Sequence, residues 1–365
     1  MENNIITNKK KHYTYIDIAK VIGIILVTYA HIKERGHDIA FIYSFHLPMF
    51  FVIAGITLSV KSEPGDFIMK KIRGYLIPLV FCEILAFTVD ISFMIALGQG
   101  SNITPTTFFN FIGDIFNQQR LYPLWFVAAL FIAVILSYFI VRACKEKIWL
   151  VAIASALVLA FAICFNFYAS RWLSFNADVS FFGIFFILIG YMFKRLEDKI
   201  HFFLKNRWIS LIFAIVFIAI GMGLTAIDKY QFDLYLEMWG CQYKEYYLVI
   251  PSAVFNSIGF ILLSNTIATP YIGQFAKANL VIIALQQGLG MRLWHDHILR
   301  DFHIDIVNKG YPIPENLLYA LTGTVFTLII SFAIYTAIMF TPLAYALNQQ
   351  PLYKTIKEKK FHVNY

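Results

Sequence analysis

Charged residues are scarce in this 365-residue chain: Asp, Glu, Lys and Arg together make up 14%, against 59% hydrophobic residues. Soluble domains contain about 25% charged and about 45–50% apolar residues. A water-soluble fold of this length has no interior large enough to bury such an excess of apolar side chains. The shortage of charge therefore excludes an ordinary soluble protein and favours a chain that folds in a lipid bilayer.

Metal-binding and nucleotide-binding motifs are also missing from the sequence. Its four cysteines are scattered, with spacings that fit neither a metal site nor a disulfide framework. No glycine cluster opens a helix after a strand, which excludes a phosphate-binding loop. The histidines of the stretch 292–305 lack helical ligand spacing such as HExxH. We therefore predict no metal site.

Long apolar stretches follow one another with short breaks. Ten of them approach the roughly 17–25 residues that a membrane helix needs: 15–32, 39–60, 73–97, 121–142, 148–166, 178–194, 208–227, 246–265, 271–291 and 316–346. The sequence predicts an all-α polytopic bundle of about ten spans. One transmembrane domain, 15–347, lies between polar tails 1–14 and 348–365. No cleavage signal follows the first stretch, so we expect a retained signal-anchor helix.

Lysine and arginine are distributed unevenly between alternate connections. With a cytoplasmic N-terminus, the predicted inner segments carry 20 of these residues and the outer segments 9. This bias predicts an even number of spans with both termini in the cytoplasm. It also accounts for the net charge of +8 without a nucleic-acid partner.

The first predicted helix carries three ionisable residues, Asp17, Lys20 and His31. Such residues inside a membrane are costly and usually functional. Lys20 and His31 lie within about 20° of the same helix face, and Asp17 is placed to pair with Lys20 at i,i+3. The alternative is an interfacial ion pair with a snorkelling lysine and a histidine that caps the helix. The shared face favours function.

The second predicted helix places His46 near its outer end, at a depth similar to that of His31. Two imidazoles at one depth suit a site that handles protons. The alternative is a histidine that serves helix packing.

A basic cluster, Lys70, Lys71 and Arg73, lies at the predicted cytoplasmic mouth of the third helix. It can bind the phosphates of a nucleotide-type donor, or it can be ordinary positive-inside charge. Pro78, a few residues on, can kink the helix and free backbone groups to line a cavity.

The outer connection 228–245 is rich in aromatic residues, among them Tyr235 and Trp239. These side chains favour an aromatic belt at the membrane interface. A stacking surface for sugar rings is the alternative.

Taken together, these motifs resemble the acyltransferase-3 family of membrane acetyltransferases. The resemblance covers residues 15–130. Within the family, the chain is most similar to the fucose 4-O-acetylase-like branch. The segments that carry it are Asp17-x-x-Lys20 with His31, Phe45-His46-x-Pro48-x-Phe50-Phe51 with Gly55, Lys70-x-x-Arg73 with Leu76-Ile77-Pro78, and Pro123-Leu124-Trp125-Phe126-Val127.

The resemblance implies an O-acyltransferase that moves an acyl group, usually acetyl, from cytoplasmic acyl-CoA to a hydroxyl of an extracytoplasmic sugar or polysaccharide. We hypothesise that His31 is the general base or a transient acyl carrier for this transfer, that His46 orients or polarises the reacting groups, and that Asp17 holds Lys20 in place. Acetyl-CoA is then the donor substrate.

Lys70, Lys71 and Arg73 lie at the predicted inner mouth, where the CoA phosphates would arrive, and we expect them to bind these phosphates. We expect the protein to span the cell membrane several times and to contact membrane lipid. The expected partners are acyl-CoA and a glycan acceptor, and a homo-oligomer is left open.

The sequence departs from the family pattern at two points. Lys20 stands where the family more often has arginine. The family often has a late Gly-Lys-x-Ser…His segment. Its counterpart in this chain is the segment from Gly273 to Asn279, followed by Gln286 and Gln287, and it contains no histidine. Two other functions therefore stay open: a polysaccharide exporter, and a non-catalytic subunit of envelope-glycan synthesis.

Overall fold

The computed structural model describes residues 14–33, 37–118, 121–169, 173–232, 238–240, 245–267, 269–289, 293–294 and 313–354. These residues form helices and short helical turns, and none of them forms a β-strand. The α-helices, in chain order, are α1 (Thr14–Lys33), α2 (His37–Tyr43), α3 (His46–Ile56), α4 (Pro64–Lys71), α5 (Ile77–Ala96), α6 (Pro105–Asn117), α7 (Trp125–Ala143), α8 (Ile148–Tyr168), α9 (Ala177–Ile200), α10 (Arg207–Phe232), α11 (Tyr246–Thr266), α12 (Pro270–Gly273), α13 (Asn279–Leu285) and α14 (Ile313–Met339).

Helical stretches long and apolar enough to cross a membrane number nine within the described residues. They are 14–33, 38–56, 64–96, 125–143, 148–168, 174–200, 207–227, 246–266 and 317–339. The predicted all-α multi-pass bundle is confirmed, and each of the nine corresponds to a predicted span. The cytoplasmic placement of both termini stays a prediction.

The remaining predicted span, 271–291, is broken where the structure describes it. Helix α12, a 3-10 helix over Gln274–Ala278 and the short α13 follow one another in place of one continuous helix. Polar side chains interrupt the apolar run here, and one of them is used in packing: Asn279 Nδ2 donates to the carbonyl oxygen of Lys20 at 3.0 Å. The segment 270–285 therefore packs along α1, because its polar groups find partners there.

Helix α1 and the α2–α3 stretch lie inside the bundle. In their most apolar windows 61% and 89% of the residues are buried, against 17% for α8 and for α10. The outward helices present large apolar side chains such as Leu157 and Ile212, which suit contact with lipid. The helices that carry His31 and His46 are therefore among the central ones.

Two glycines allow α3 and α9 to pack with their backbones in contact. A Cβ on Gly55 would lie 2.0 Å from the carbonyl oxygen of Ile187, and one on Gly190 would lie 2.1 Å from that of Val52. Small residues at membrane helix interfaces permit this close approach. The contact fixes α3, and with it His46, against α9.

The α4–α5 stretch contains a π-helical turn over Ile72–Leu76, just before Pro78. Proline lacks the N–H that would bond to the carbonyl of residue 74, so the regular ladder is interrupted. Gly74, Tyr75 and Pro78 all line a cavity. This confirms the prediction that the proline region borders a cavity.

Asn176 anchors the segment that leads into α7. Its Nδ2 donates to the carbonyl oxygens of Gln118, at 2.5 Å, and Trp125, at 3.0 Å. Asn176 has a φ of +53° and Gln118 also has a φ of +53°, a left-handed conformation in which asparagine is well tolerated. The anchor fixes the first turn of α7, which contributes to a cavity described below.

Candidate active site

Helix α1 carries the predicted polar residues in two separate places. Lys20 Nζ lies 3.2 Å from Asp17 Oδ1, so the predicted i,i+3 ion pair is present, and both side chains are half-buried. His31 lies about 16 Å beyond Lys20 along the helix axis, at 1.5 Å per residue. The ion pair and the imidazole therefore serve different cavities at the two ends of α1.

A cavity with a volume of about 540 Å³ contains both predicted histidines. We call it the outer cavity, and the cavity that contains Asp17 and Lys20 the inner cavity, after the orientation predicted from the sequence. The size of the outer cavity is in the range of about 300–1,000 Å³ typical of small-molecule sites. Its lining residues come from α1, α2, α3, α7, the stretch 283–287 and the tip 238–239: Val27, His31, Tyr43, His46, Leu47, Phe50, Tyr122, Pro123, Trp125, Phe126, Met238, Trp239, Ile283, Gln286 and Gln287. The structure thus brings His31, His46 and the Pro123–Trp125 motif together.

His46 is held in a defined orientation. Its Nδ1 lies 2.9 Å from the carbonyl oxygen of Ile42, and the edge of its ring meets Tyr43, with ring centroids 5.0 Å apart. An Nδ1–H that donates to this carbonyl leaves Nε2 as an acceptor in the neutral ring. His46 can therefore accept a hydrogen bond at a fixed position in the outer cavity.

His31 differs from His46 because neither of its ring nitrogens has a hydrogen-bond partner among the described residues, although both are buried. Buried polar atoms are nearly always hydrogen-bonded. The imidazole of His31 is therefore available to a group that enters the outer cavity.

Gln286 is a third polar residue of the outer cavity, and it was missing from the predicted site. Its side chain is buried, its Oε1 lies 3.3 Å from the hydroxyl of Thr28, and its Nε2 has no partner among the described residues. The sequence showed Gln286 only as the point where a family histidine is missing. The structure places it beside the predicted histidines.

The inner cavity, of about 600 Å³, contains the Asp17–Lys20 pair. A second cation, Lys277, also lines it, together with Asn279 and Gln349. Gln349 Nε2 donates to the carbonyl oxygen of Lys277 at 2.9 Å. Lys277 was not among the predicted site residues, and its place in the Gly273–Asn279 segment was the only sequence signal for it.

The predicted basic cluster lies next to the inner cavity but does not line it. Lys70 and Arg73 are exposed. Lys71 Nζ lies 5.2 Å from the ring centroids of Phe67 and Tyr75, and Tyr75 is a lining residue. The structure therefore separates Lys70, Lys71 and Arg73 from Lys20, which does line the cavity.

The histidine-rich stretch 292–305, where the sequence predicts no metal site, includes His295, His297 and His303, and these histidines lie outside the described residues. Within the part of the chain that the structure describes, no group of three His, Cys, Asp or Glu side chains is placed to hold a metal ion. Of the aromatic connection 228–245, Trp239 is described and lines the outer cavity.

The fold and the two cavities define a multi-pass membrane protein with imidazoles in one polar cavity and cations in another. The chain matches the acyltransferase-3 family, described as an acyltransferase domain, over residues 13–336. It belongs to this family and is a membrane acyltransferase. The match extends into α14, well beyond the residues 15–130 on which the sequence motifs lie. No curated protein and no solved structure matches the chain significantly.

Proposed function

We propose that this acyltransferase moves an acetyl group from cytoplasmic acetyl-CoA to a hydroxyl of an extracytoplasmic sugar or polysaccharide, in the cell membrane. The observation that supports the proposal most directly is the division of chemistry along α1. Cationic Lys20 lines one cavity and basic His31 lines the other. The donor would enter from the side of the cations and the acceptor from the side of the histidines, and we place the protein in the fucose 4-O-acetylase-like branch of the family.

His31 is the proposed general base. It would take the proton of the acceptor hydroxyl as the hydroxyl oxygen attacks the carbonyl carbon of the thioester. A C–O bond forms and the C–S bond breaks. His31 then returns the proton to the sulfur, so CoA leaves as the thiol. The absence of a protein partner for His31 among the described residues supports this role.

His46 and Gln286 are the proposed supporting groups. The fixed Nε2 of His46 would accept a hydrogen bond and orient the acceptor or His31. The unpaired Nε2 of Gln286 would donate to the thioester carbonyl oxygen, where negative charge develops in the transition state. A glutamine can supply this donation although it cannot take the proton of the hydroxyl.

Two sets of cations would hold the donor, one that lines the inner cavity and one at its rim. Lys20, oriented by Asp17, and Lys277 would contact the part of CoA inside the inner cavity. Lys70, Lys71 and Arg73 would attract the adenosine phosphates at the rim, because long-range attraction does not require them to line the cavity. On the acceptor side, Trp125 and Trp239 offer aromatic faces to a sugar ring.

The test uses purified protein in liposomes, acetyl-CoA labelled in the acetyl group and surface polysaccharide from the producing cells. Wild-type protein should transfer label and release an equal amount of CoA thiol, whereas His31→Ala should do neither. His201→Ala, at an exposed position that lines neither cavity, is the matched control and should stay active.

The same experiment separates the other functions. Movement of polysaccharide across the bilayer without thiol release would support an exporter. Wild-type protein that neither moves glycan nor transfers label would support an accessory subunit. Full activity of His31→Ala would overturn the assignment of the base.

A further inference from the structure

Three apolar side chains separate the two cavities. Phe50 of α3, Phe126 of α7 and Ile283 of α13 line the outer cavity and also the inner one. Among the described residues, no other side chain lines both. Phe126 and Ile283 are 6% and 4% exposed, so little of either is open to the cavities. We call these three residues the partition.

The two phenylalanines of the partition are in contact in this structure. The ring centroids of Phe50 and Phe126 lie 5.8 Å apart, with planes inclined by 43°. Contacting aromatic pairs have centroids about 4.5–7 Å apart, which leaves no gap for a water molecule between the rings. An apolar constriction of this kind excludes water and ions by dewetting.

The ring of Phe50 packs directly against the backbone of α1 at Gly23. A Cβ on Gly23 would lie 2.8 Å from Cζ of Phe50 and 2.7 Å from Cε of Met49. Only glycine leaves room for the ring at this point. A larger residue at position 23 would push the ring away from α1.

We infer that Phe50, Phe126 and Ile283 form a seal between the two cavities, which also sets the upper length of the acyl group that crosses from donor to acceptor. The seal follows from the geometry alone. The length limit rests on the proposed function: Lys20 and the CoA phosphates would lie on one side and His31 on the other, so the acyl group and then the thioester sulfur have to pass the partition. Each added methylene is a further length of chain that has to pass between the rings before the sulfur can reach His31.

The seal is tested without any acyl transfer. Purified protein is placed in liposomes that contain a pH-sensitive dye, and proton entry is followed after a pH step. Phe126→Ala and Phe50→Ala should each raise the proton leak severalfold over wild type. Phe186→Ala is the matched control, since Phe186 is equally buried and lines neither cavity, and it should leave the leak unchanged.

The length limit is tested by the ratio of transfer rates with butyryl-CoA and acetyl-CoA. One methylene in an apolar site is worth about tenfold or more in discrimination, so Phe126→Ala should raise this ratio about tenfold or more. Gly23→Ala, which drives the Phe50 ring across the partition, should lower the ratio. Gly223→Ala, where a Cβ meets no atom within 4 Å, is the control for that change.

The outcomes separate this inference from the proposed function. A raised leak in the phenylalanine variants with no acyl transfer by any protein would support the seal and count against the proposed function. Active, correctly folded variants with unchanged leak and an unchanged ratio would overturn the inference while the function stands. Monodisperse elution of each variant in detergent identifies those that are folded.

Discussion

Gln286 Oε1 lies 3.3 Å from Thr28 Oγ1, a contact between two residues 258 positions apart in the chain. It joins the end of α13 to the centre of α1 within the outer cavity. Through this contact a residue from the last third of the chain becomes part of a site that otherwise depends on the first third.

Removal of the Gln286 carboxamide should slow the chemical step more than it weakens binding. Loss of one donor to a developing oxyanion typically costs about 10²–10³ in kcat, so Gln286→Ala should lower kcat by about that factor. The KM for acetyl-CoA should change little, because this hydrogen bond would strengthen only as negative charge develops on the carbonyl oxygen in the transition state. Thr28→Val, which removes only the group that holds the amide, should cause a smaller loss of kcat. A higher KM with unchanged kcat in Gln286→Ala would contradict this role.

The roles of the two ring nitrogens of His46, structural for Nδ1 and functional for Nε2, should be distinguishable by substitution. The amide of His46→Asn can replace the Nδ1 donation to Ile42 but cannot replace Nε2. We therefore expect a thermal unfolding temperature near that of wild type and an activity lower by about 10²–10⁴, the usual contribution of a proton-handling group. If His46→Asn unfolds early and the surviving fraction is fully active, His46 serves packing alone.

Cations inside and outside the inner cavity should respond differently to salt. Lys20→Ala and Lys277→Ala should raise the KM for acetyl-CoA at all salt concentrations, because both residues would touch the donor. Lys70→Ala should raise it mainly at low salt, since exposed charges are screened beyond about 10 Å at 0.1 M ionic strength. Steady-state kinetics at low and high salt checks this. Lys20→Arg should retain most activity, and equal salt dependence for all variants would argue against two levels of binding.

The backbone contact between α3 and α9 should be intolerant of a single methyl group. Gly190→Ala places a Cβ against the carbonyl of Val52 and should lower the free energy of unfolding by about 1–3 kcal/mol, the usual cost of overpacking. Gly223→Ala in α10 meets open space and should stabilise the helix or leave it unchanged. Thermal unfolding in detergent compares the two. Equal effects would mean that α3 and α9 separate without cost.

The side chain of Asn176 should stabilise the fold through the hydrogen bonds that it donates, in addition to the tolerance of asparagine for a left-handed backbone. Asn176→Asp keeps the shape of the side chain but cannot donate to the carbonyls of Gln118 and Trp125. We expect a loss of about 1–3 kcal/mol, the cost of unpaired buried polar groups. Asn206→Asp is the matched control, because Asn206 Oδ1 accepts a hydrogen bond from the N–H of Trp208 and aspartate accepts it as well. Identical unfolding temperatures for the two variants would contradict the anchor.

Much of the fold follows from local sequence, because a membrane span needs only length and apolar composition. The Asp17–Lys20 pair was equally predictable, since i,i+3 residues on a helix always meet. The common depth of His31 and His46 followed from the short connection between their helices. Each of these features depends on neighbours in the chain.

Other features depend on contacts that no local pattern contains. At the break between α12 and α13, Asn279 has its hydrogen-bond partner on α1, far away in sequence. Lys277, two residues earlier, lines the inner cavity, whereas Lys70, in a denser basic cluster, stays outside it. The position of Phe50 between the two cavities could not be predicted from the sequence, because the cavities form only when distant helices pack together.

The partition has an electrical consequence. Under the proposed function each cavity opens to one side of the membrane, so most of the membrane voltage would fall across the apolar layer of Phe50, Phe126 and Ile283. A full charge that crosses it would gain or lose about 2.3 kcal/mol per 100 mV. An acyl group is neutral, whereas the phosphates of CoA are not. The transfer would therefore move carbon across an energised membrane without drawing on its voltage.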